Sequence, residues 1–360
     1  MNLITKHSTL LGHLEYFAGV PGWVIEASCL EAAFLVHEVA ESTRLKRRKD
    51  LDKAFILRLT AIPIAVNYAT KACLGKHVVL GMVDICEFNY HVDPLIEGIK
   101  DRSPDTMQLI EKVICQIFSD KDSSGVLQNK SEGDAITLEA CQGHEEVYQL
   151  VKELEYSAKQ FIEHPHVLTA GDYEQRNLRM EIRVGLLAQV SKVAMAIPDS
   201  SSAPDLSFYQ FIQKIGADDT LSSMAIKSII CFIQGPSDVV CATPIERYLL
   251  EEFNRHVAIW TRMWNDHSSI ERDRVDSSLN VVDFPEFQSC IEDAGKRRSL
   301  ADLIQHEEDR LNESLERFAS AVASRPKAGY VVTGLRWYLG ILHVFREQYN
   351  AGAVYASKMM

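Results

Sequence analysis

Among its 360 residues the chain has no Cys-x-x-Cys pair, no long apolar run and no excess of basic charge. Its eight cysteines (Cys29, Cys73, Cys86, Cys115, Cys141, Cys231, Cys241 and Cys290) are scattered, several within apolar stretches such as "SIICFIQG". That excludes a zinc ribbon or a disulfide framework and fits buried thiols in a reducing compartment. No segment approaches the roughly 20 apolar residues of a membrane helix, and "MNLITKHSTLLGHLEY" has no signal-like apolar core. A cytoplasmic protein without a membrane span is expected. With a formal net charge of −12, no broad basic surface can form, so nucleic acid is not an expected partner. A small anionic ligand remains compatible, because local cations or bound metal ions reverse the field inside a pocket.

Strand signals are scarce as well. "GKHVVLGMVDI" is the best candidate, and it fits a buried helix equally well. There is no βαβ rhythm, hairpin signal, internal repeat or low-complexity tract. What is present is helical periodicity. "GWVIEASCLEAAFLVHEVAES", "EEVYQLVKELEYSAKQFIEH", "NLRMEIRVGLLAQVSKVAMAI" and "LADLIQHEEDRLNESLERFASAVAS" place apolar residues at steps of three and four. Breakers at 101–106, 123–135, 197–207, 234–244 and 280–290 separate these runs, and none is long or biased enough for a domain linker. The expected fold is all-α, one helical domain over residues 1–360, with 1–70 as a possible added helical layer.

One helix is marked at its start. Thr243 suits the N-cap, Pro244 the first helical position, and Glu246 completes a capping box. Ile245, Leu249, Phe253, Val257 and Trp260 then form an apolar stripe, and the pattern runs past residue 275. Near its end the helix carries "NDHSSIERD". A helix turns about 100° per residue, so Asn265, Ser269 and Asp273 share one face. Their amide, hydroxyl and carboxylate oxygens are hard ligands suited to Mg²⁺, and Arg272 beside them suits a phosphate oxygen. A solvated helix face is the alternative.

The residues "NDHSSIERD" resemble the NDxxSxxKE element of class I terpene synthases, with Arg272 in place of Lys and Asp273 in place of Glu. The resemblance implies a helical bundle around an apolar cavity, with Asn265, Ser269 and Asp273 binding one Mg²⁺ and Arg272 contacting a prenyl diphosphate. Three Mg²⁺ ions would act with the diphosphate. The family's DDxxD-like motif has no clean copy here. "FSDKDSS" offers Asp120 and Asp122, and "VDICEF" offers Asp84 and Glu87 in reserve. Where the family places a diphosphate-sensing Arg before a helix break, this chain has Gln213 and Lys214 after Tyr209, so Lys214 would supply the cation. The final helix, "TGLRWYLGILHVFREQYN", resembles the family's W-x-x-G…RY segment through Trp337, Gly340, Arg346 and Tyr349, with Arg346 and Tyr349 as diphosphate contacts.

The implied activity is ionisation of farnesyl diphosphate and cyclisation of the allylic cation to a sesquiterpene. The degraded first motif is similar to that of non-canonical fungal cyclases such as the humulene synthases. Trp260, Trp264 and Trp337 are candidates for stabilising the cation through their π faces; the oligomeric state stays open, with a homodimer as one possibility. Two other readings stay open: a non-catalytic all-α interaction protein with a decayed metal site, and a prenyltransferase.

Overall fold

The computed structural model describes residues 59, 62–64, 66–67, 70, 72, 74–118, 137–195, 206–234, 240–275, 278–287 and 293–350. Every regular element among them is helical, as the periodicity predicts. The helices are α1 (Lys76–Glu97), α2 (Pro104–Ile117), α3 (Glu145–Ile162), α4 (Pro165–Leu168), α5 (Asp172–Met195), α6 (Phe208–Phe211), α7 (Ser222–Gln234), α8 (Pro244–Val275), α9 (Asp293–Val322) and α10 (Pro326–Asn350). A π turn (Ile212–Gly216) and a 3-10 turn (Asp218–Thr220) join α6 to α7, and two more 3-10 turns follow α8. "GKHVVLGMVDI" is helix, most of it inside α1. Among the described residues no helix is long and apolar enough to cross a membrane. The segment 22–42 and the breaker 123–135 lie outside the described residues.

The contacts divide the chain into two compact units, 1–87 with 323–360, and 88–322. In the first, α10 packs on Pro63 and Val66. The buried Trp337 donates its indole N–H to the Pro63 carbonyl at 3.2 Å, and a Cβ on Gly340 would meet Val66 Cγ1 at 3.0 Å. Trp337 and Gly340, two of the four residues singled out in the final helix, thus serve packing within this unit.

In the second unit α5 is central. Leu178, Ile182, Leu186 and Val190 recur at steps of four and are fully buried, each contributing about 1.5–3 kcal/mol of hydrophobic stabilisation. Phe161 of α3 joins this interior between Phe88 and Phe232, with ring centroids 5.7 and 6.4 Å away. Gly185 of α5 marks a close approach. A Cβ there would come within 2.2 Å of Leu221 Cδ2 and 3.2 Å of the Asp218 carbonyl. Leu221 itself is left-handed (φ 56°), so the chain kinks at this point between α6 and α7.

The start of α8 follows the sequence signal. Glu246 N donates to Thr243 Oγ1 at 3.3 Å, and Glu246 Oε2 accepts from the backbone of Ala242 and Thr243. This capping turns Glu246 inward and leaves Ile245 59% exposed, so the apolar stripe starts one turn later than the spacing predicts. Leu249, Phe253, Val257 and Trp260 are buried. α9 returns antiparallel along α8: Arg317 pairs with Glu252, Glu307 with His256, and Arg297 with Glu271.

Candidate metal centre

The apolar stripe of α8 gives way to a buried polar one. Arg262, Asp266, Ser269 and Asp273 recur at steps of three and four and are all at most 5% exposed. Buried charges persist only with partners. Arg262 Nη1 donates to Asp219 Oδ2 at 2.8 Å, and its Nε and Nη2 donate to Asp266 Oδ2 at 3.1 and 2.9 Å. Asp266 Oδ2 also accepts from the Val281 amide at 2.9 Å. Asp219, on the 3-10 turn of the kink, lies 3.6 Å from Lys192 Nζ of α5 and accepts at its carbonyl from Gln189. Burial pushes the Asp266 carboxyl up to about 6, against the pull of Arg262. Burial works against the charge on Arg262, but Asp219, Asp266 and Asp273 outweigh it and raise its pKa. One guanidinium therefore ties the kink, α8 and the segment after α8 together.

The candidate ligand face lies one turn further along. Asp273 Oδ2 accepts from Ser269 Oγ at 2.6 Å and from Asn280 Nδ2 at 2.8 Å. Asp273 Oδ1 accepts from Arg272 Nε and Nη2 at 3.1 and 2.9 Å. Asn280, buried beyond the helix end, also donates to the Asp266 carbonyl and caps the turn Val281–Asp283 through the Val282 amide. Asp273 sits in the last turn of α8, where the helix dipole disfavours an anion and these donors oppose that. Asn265 is half-buried on the same face.

The donor set fits a hard divalent cation: an amide, a hydroxyl and a carboxylate from one helix face, with Ser269 and Asp273 already in contact. It supplies one carboxylate only. Among the described residues no three His, Cys, Asp or Glu side chains group to hold a metal ion. Asp120 and Asp122, the first choice for the facing acids, lie outside the described residues. Asp84 and Glu87 are half-buried on α1 in the first unit, three residues apart.

The other expected contacts divide similarly. The kink expected after Tyr209 exists, but Lys214 is exposed on the π turn. The cations the structure gathers at the kink are Arg262 and Lys192, with Arg255 Nη1 donating to Asp218 at 2.6 Å. Arg346 is half-buried on α10 of the first unit, and Tyr349 lies on the same helix. Trp260 and Trp264 are buried edge to face, and the Trp260 indole reaches Glu308 at 3.3 Å. A cavity of about 620 Å³ opens between α6, α8 and α9, lined by Ile212, Ile259 and Met263 with His256, Glu307 and Arg310. Asn265, Ser269 and Asp273 do not line it, so it is distinct from the metal face.

Arg262, Asp219, Lys192 and Asn280 carry the site without having been singled out by the spacing. The opposite charges Arg262 and Asp266, four apart on the same helix, were the one local signal.

No family model matches the chain. It is similar to an ent-kaur-16-ene synthase of Phaeosphaeria sp., 26% identical over 353 residues that cover 90% of this chain and 36% of the relative. It is also similar to a pimaradiene synthase of Emericella nidulans (23% over 372 residues, 93% of this chain and 38% of the relative). A bifunctional premutilin synthase of Clitopilus passeckerianus is 24% identical over 299 residues, covering 78% of this chain and 30% of the relative. The chain spans about a third of the length of the curated relatives it matches.

Proposed function

From a chain that is class I terpene synthase-like, we infer a divalent-metal-dependent terpene cyclase that ionises a prenyl diphosphate. The observation that carries the reading is the Asn265, Ser269 and Asp273 face of α8, with Arg272 beside it. Asn265, Ser269 and Asp273 would hold Mg²⁺, which when bound offsets charge growing on the diphosphate leaving group. Arg272 gives the diphosphate a second, directional cation. Arg262 and Asn280 act on the ligands rather than on the substrate, holding α8 and the Asp273 carboxylate in place. Asp120 and Asp122 are the acids proposed for the rest of the metal site, with Asp84 and Glu87 in reserve.

The motif resemblance favours farnesyl diphosphate and a sesquiterpene product, in the manner of a humulene-type cyclase. The relatives' names favour a diterpene and hence a C20 diphosphate, and one relative is named bifunctional. A C20 diphosphate already cyclised by another activity therefore joins the substrates to be tried. A cytoplasmic setting agrees with the buried thiols of Cys86, Cys141 and Cys231. Burial pushes Cys86 and Cys231 up to about 12, so both are chemically quiet.

The test is incubation with Mg²⁺ and C10, C15, C20 and bicyclic C20 diphosphates, followed by gas chromatography–mass spectrometry. A cyclic terpene with release of diphosphate is expected from one of them. No turnover of any would sink the cyclase reading in favour of an interaction protein, and a longer prenyl diphosphate would identify a prenyltransferase.

A further inference from the structure

The Asp273 carboxylate is saturated. A carboxylate offers about four lone-pair sites, and four donors reach this one: Ser269 Oγ and Asn280 Nδ2 at Oδ2, Arg272 Nε and Nη2 at Oδ1. A cation binding Asp273 must displace a donor, and the donors are unequal. Ser269 and Asn280 are 1% and 2% exposed. Releasing either would strand a buried polar group, and Asn280 is further fixed by its bonds to the Asp266 carbonyl and the Val282 amide. The Arg272 side chain is 39% exposed on a long, flexible stem, and water can replace what it gives up.

We propose that Arg272 is an exchangeable cap on Asp273 that makes divalent-ion binding conditional on diphosphate. Without diphosphate the guanidinium fork covers Oδ1 and repels an incoming cation. A diphosphate draws the fork onto its own oxygens and uncovers Oδ1, while Ser269 and Asn280 keep the carboxylate oriented. Because binding linkage is reciprocal, the ion in turn strengthens diphosphate binding. The proposal rests on the metal-site reading of α8 and adds an order to it: the bare ion binds weakly, and ion and diphosphate bind tightly together. Idle occupation of the ligand face is thereby suppressed.

The experiment measures Mn²⁺ binding to the full chain without diphosphate, from the electron paramagnetic resonance signal of free Mn²⁺. Arg272→Gln is expected to bind about tenfold more tightly than wild type, and Arg272→Lys, which keeps the charge but loses the fork, to fall between. Arg274→Gln removes the same charge two residues away from an exposed position and is expected to change affinity less than about twofold. Adding Asp273→Asn to Arg272→Gln should abolish the gain. Equal or weaker Mn²⁺ binding by Arg272→Gln, or an equal gain in Arg274→Gln, overturns the cap and leaves the metal site standing. No Mn²⁺ binding by any of these chains overturns the metal site and the cap with it. Metal-free melting temperatures verify that each variant is folded.

Discussion

Arg262 and Lys227 are both 2% exposed and both belong to the second unit, yet their surroundings differ. Arg262 spreads its fork over two buried aspartates and a carbonyl, and the carboxylates it meets are also held by backbone amides or a second cation. Lys227 pairs with Glu251, whose side chain is 46% exposed. Near Lys227, burial raises the carboxyls of Glu174 and Glu181, Glu181 to about 7, although Lys227 pulls both down. A planar fork fixes directions, whereas an ammonium supplies charge with little geometry. The proposed ligand face of α8 adjoins the Arg262 network, which has three cations (Lys192, Arg262, Arg272) for three aspartates (Asp219, Asp266, Asp273). Burial of charge is common to both regions; only the directional one adjoins the proposed metal ligands.

The strongest way to break this comparison is Arg262→Met. It leaves Asp219 and Asp266 buried with much of their compensation lost, so a loss of about 3–5 kcal/mol is expected in denaturant unfolding. A loss under 1 kcal/mol would mean that the network organises nothing. Next in size, Asp273→Ala should lower Mg²⁺-dependent turnover by about 100-fold or more, and because it strands the buried donors of Ser269 and Asn280 it should also cost about 1–3 kcal/mol of stability. Lys227→Met, made in parallel, should leave turnover within a few fold, because its cluster presents no ligand.

The Lys227 region predicts a pH effect. The folded-state pKa of Glu181 is raised from 4.5 to about 7, chiefly by burial. Its contribution to stability is fully present below about 4.5 and is lost as the pH rises through about 7. Glu181→Gln should therefore match wild type in melting temperature near pH 4.5 and exceed it at pH 8. A constant difference across that range would place Glu181 in water rather than in the interior. Smallest is Lys214→Ala. Exposed on the π turn, it should change stability by less than about 0.5 kcal/mol. A large fall in turnover would support Lys214 as the diphosphate-sensing cation, and an unchanged turnover would exclude it.

How much of this could be read from the chain depends on how local each feature is. The capping box at Thr243 and Glu246 and the periodicity from Leu249 to Trp260 are contained within a few turns, and α8 follows them closely. The shared helix face of Asn265, Ser269 and Asp273 was legible for the same reason, since helical spacing alone fixes it, and their metal role is proposed. Ile245 was misjudged because a capping Glu246 took the inward direction that the stripe assigned to its neighbour. The Arg262–Asp219 pair joins residues 43 positions apart, and its partner sits at a kink produced by a π turn and the left-handed Leu221. Asn280 lies past the helix end, where no periodic signal reaches. Pairings of that kind are made by tertiary packing, so a single sequence gives them no pattern.

The most direct test is a crystal structure of the full chain with Mn²⁺ and inorganic diphosphate, using the anomalous signal of manganese. An ion within about 2.3 Å of oxygens from Asn265, Ser269 and Asp273, with Arg272 on the diphosphate, is the predicted result. Manganese bound elsewhere, or absent while diphosphate is present, with Asp273 still held by Arg272, would contradict it.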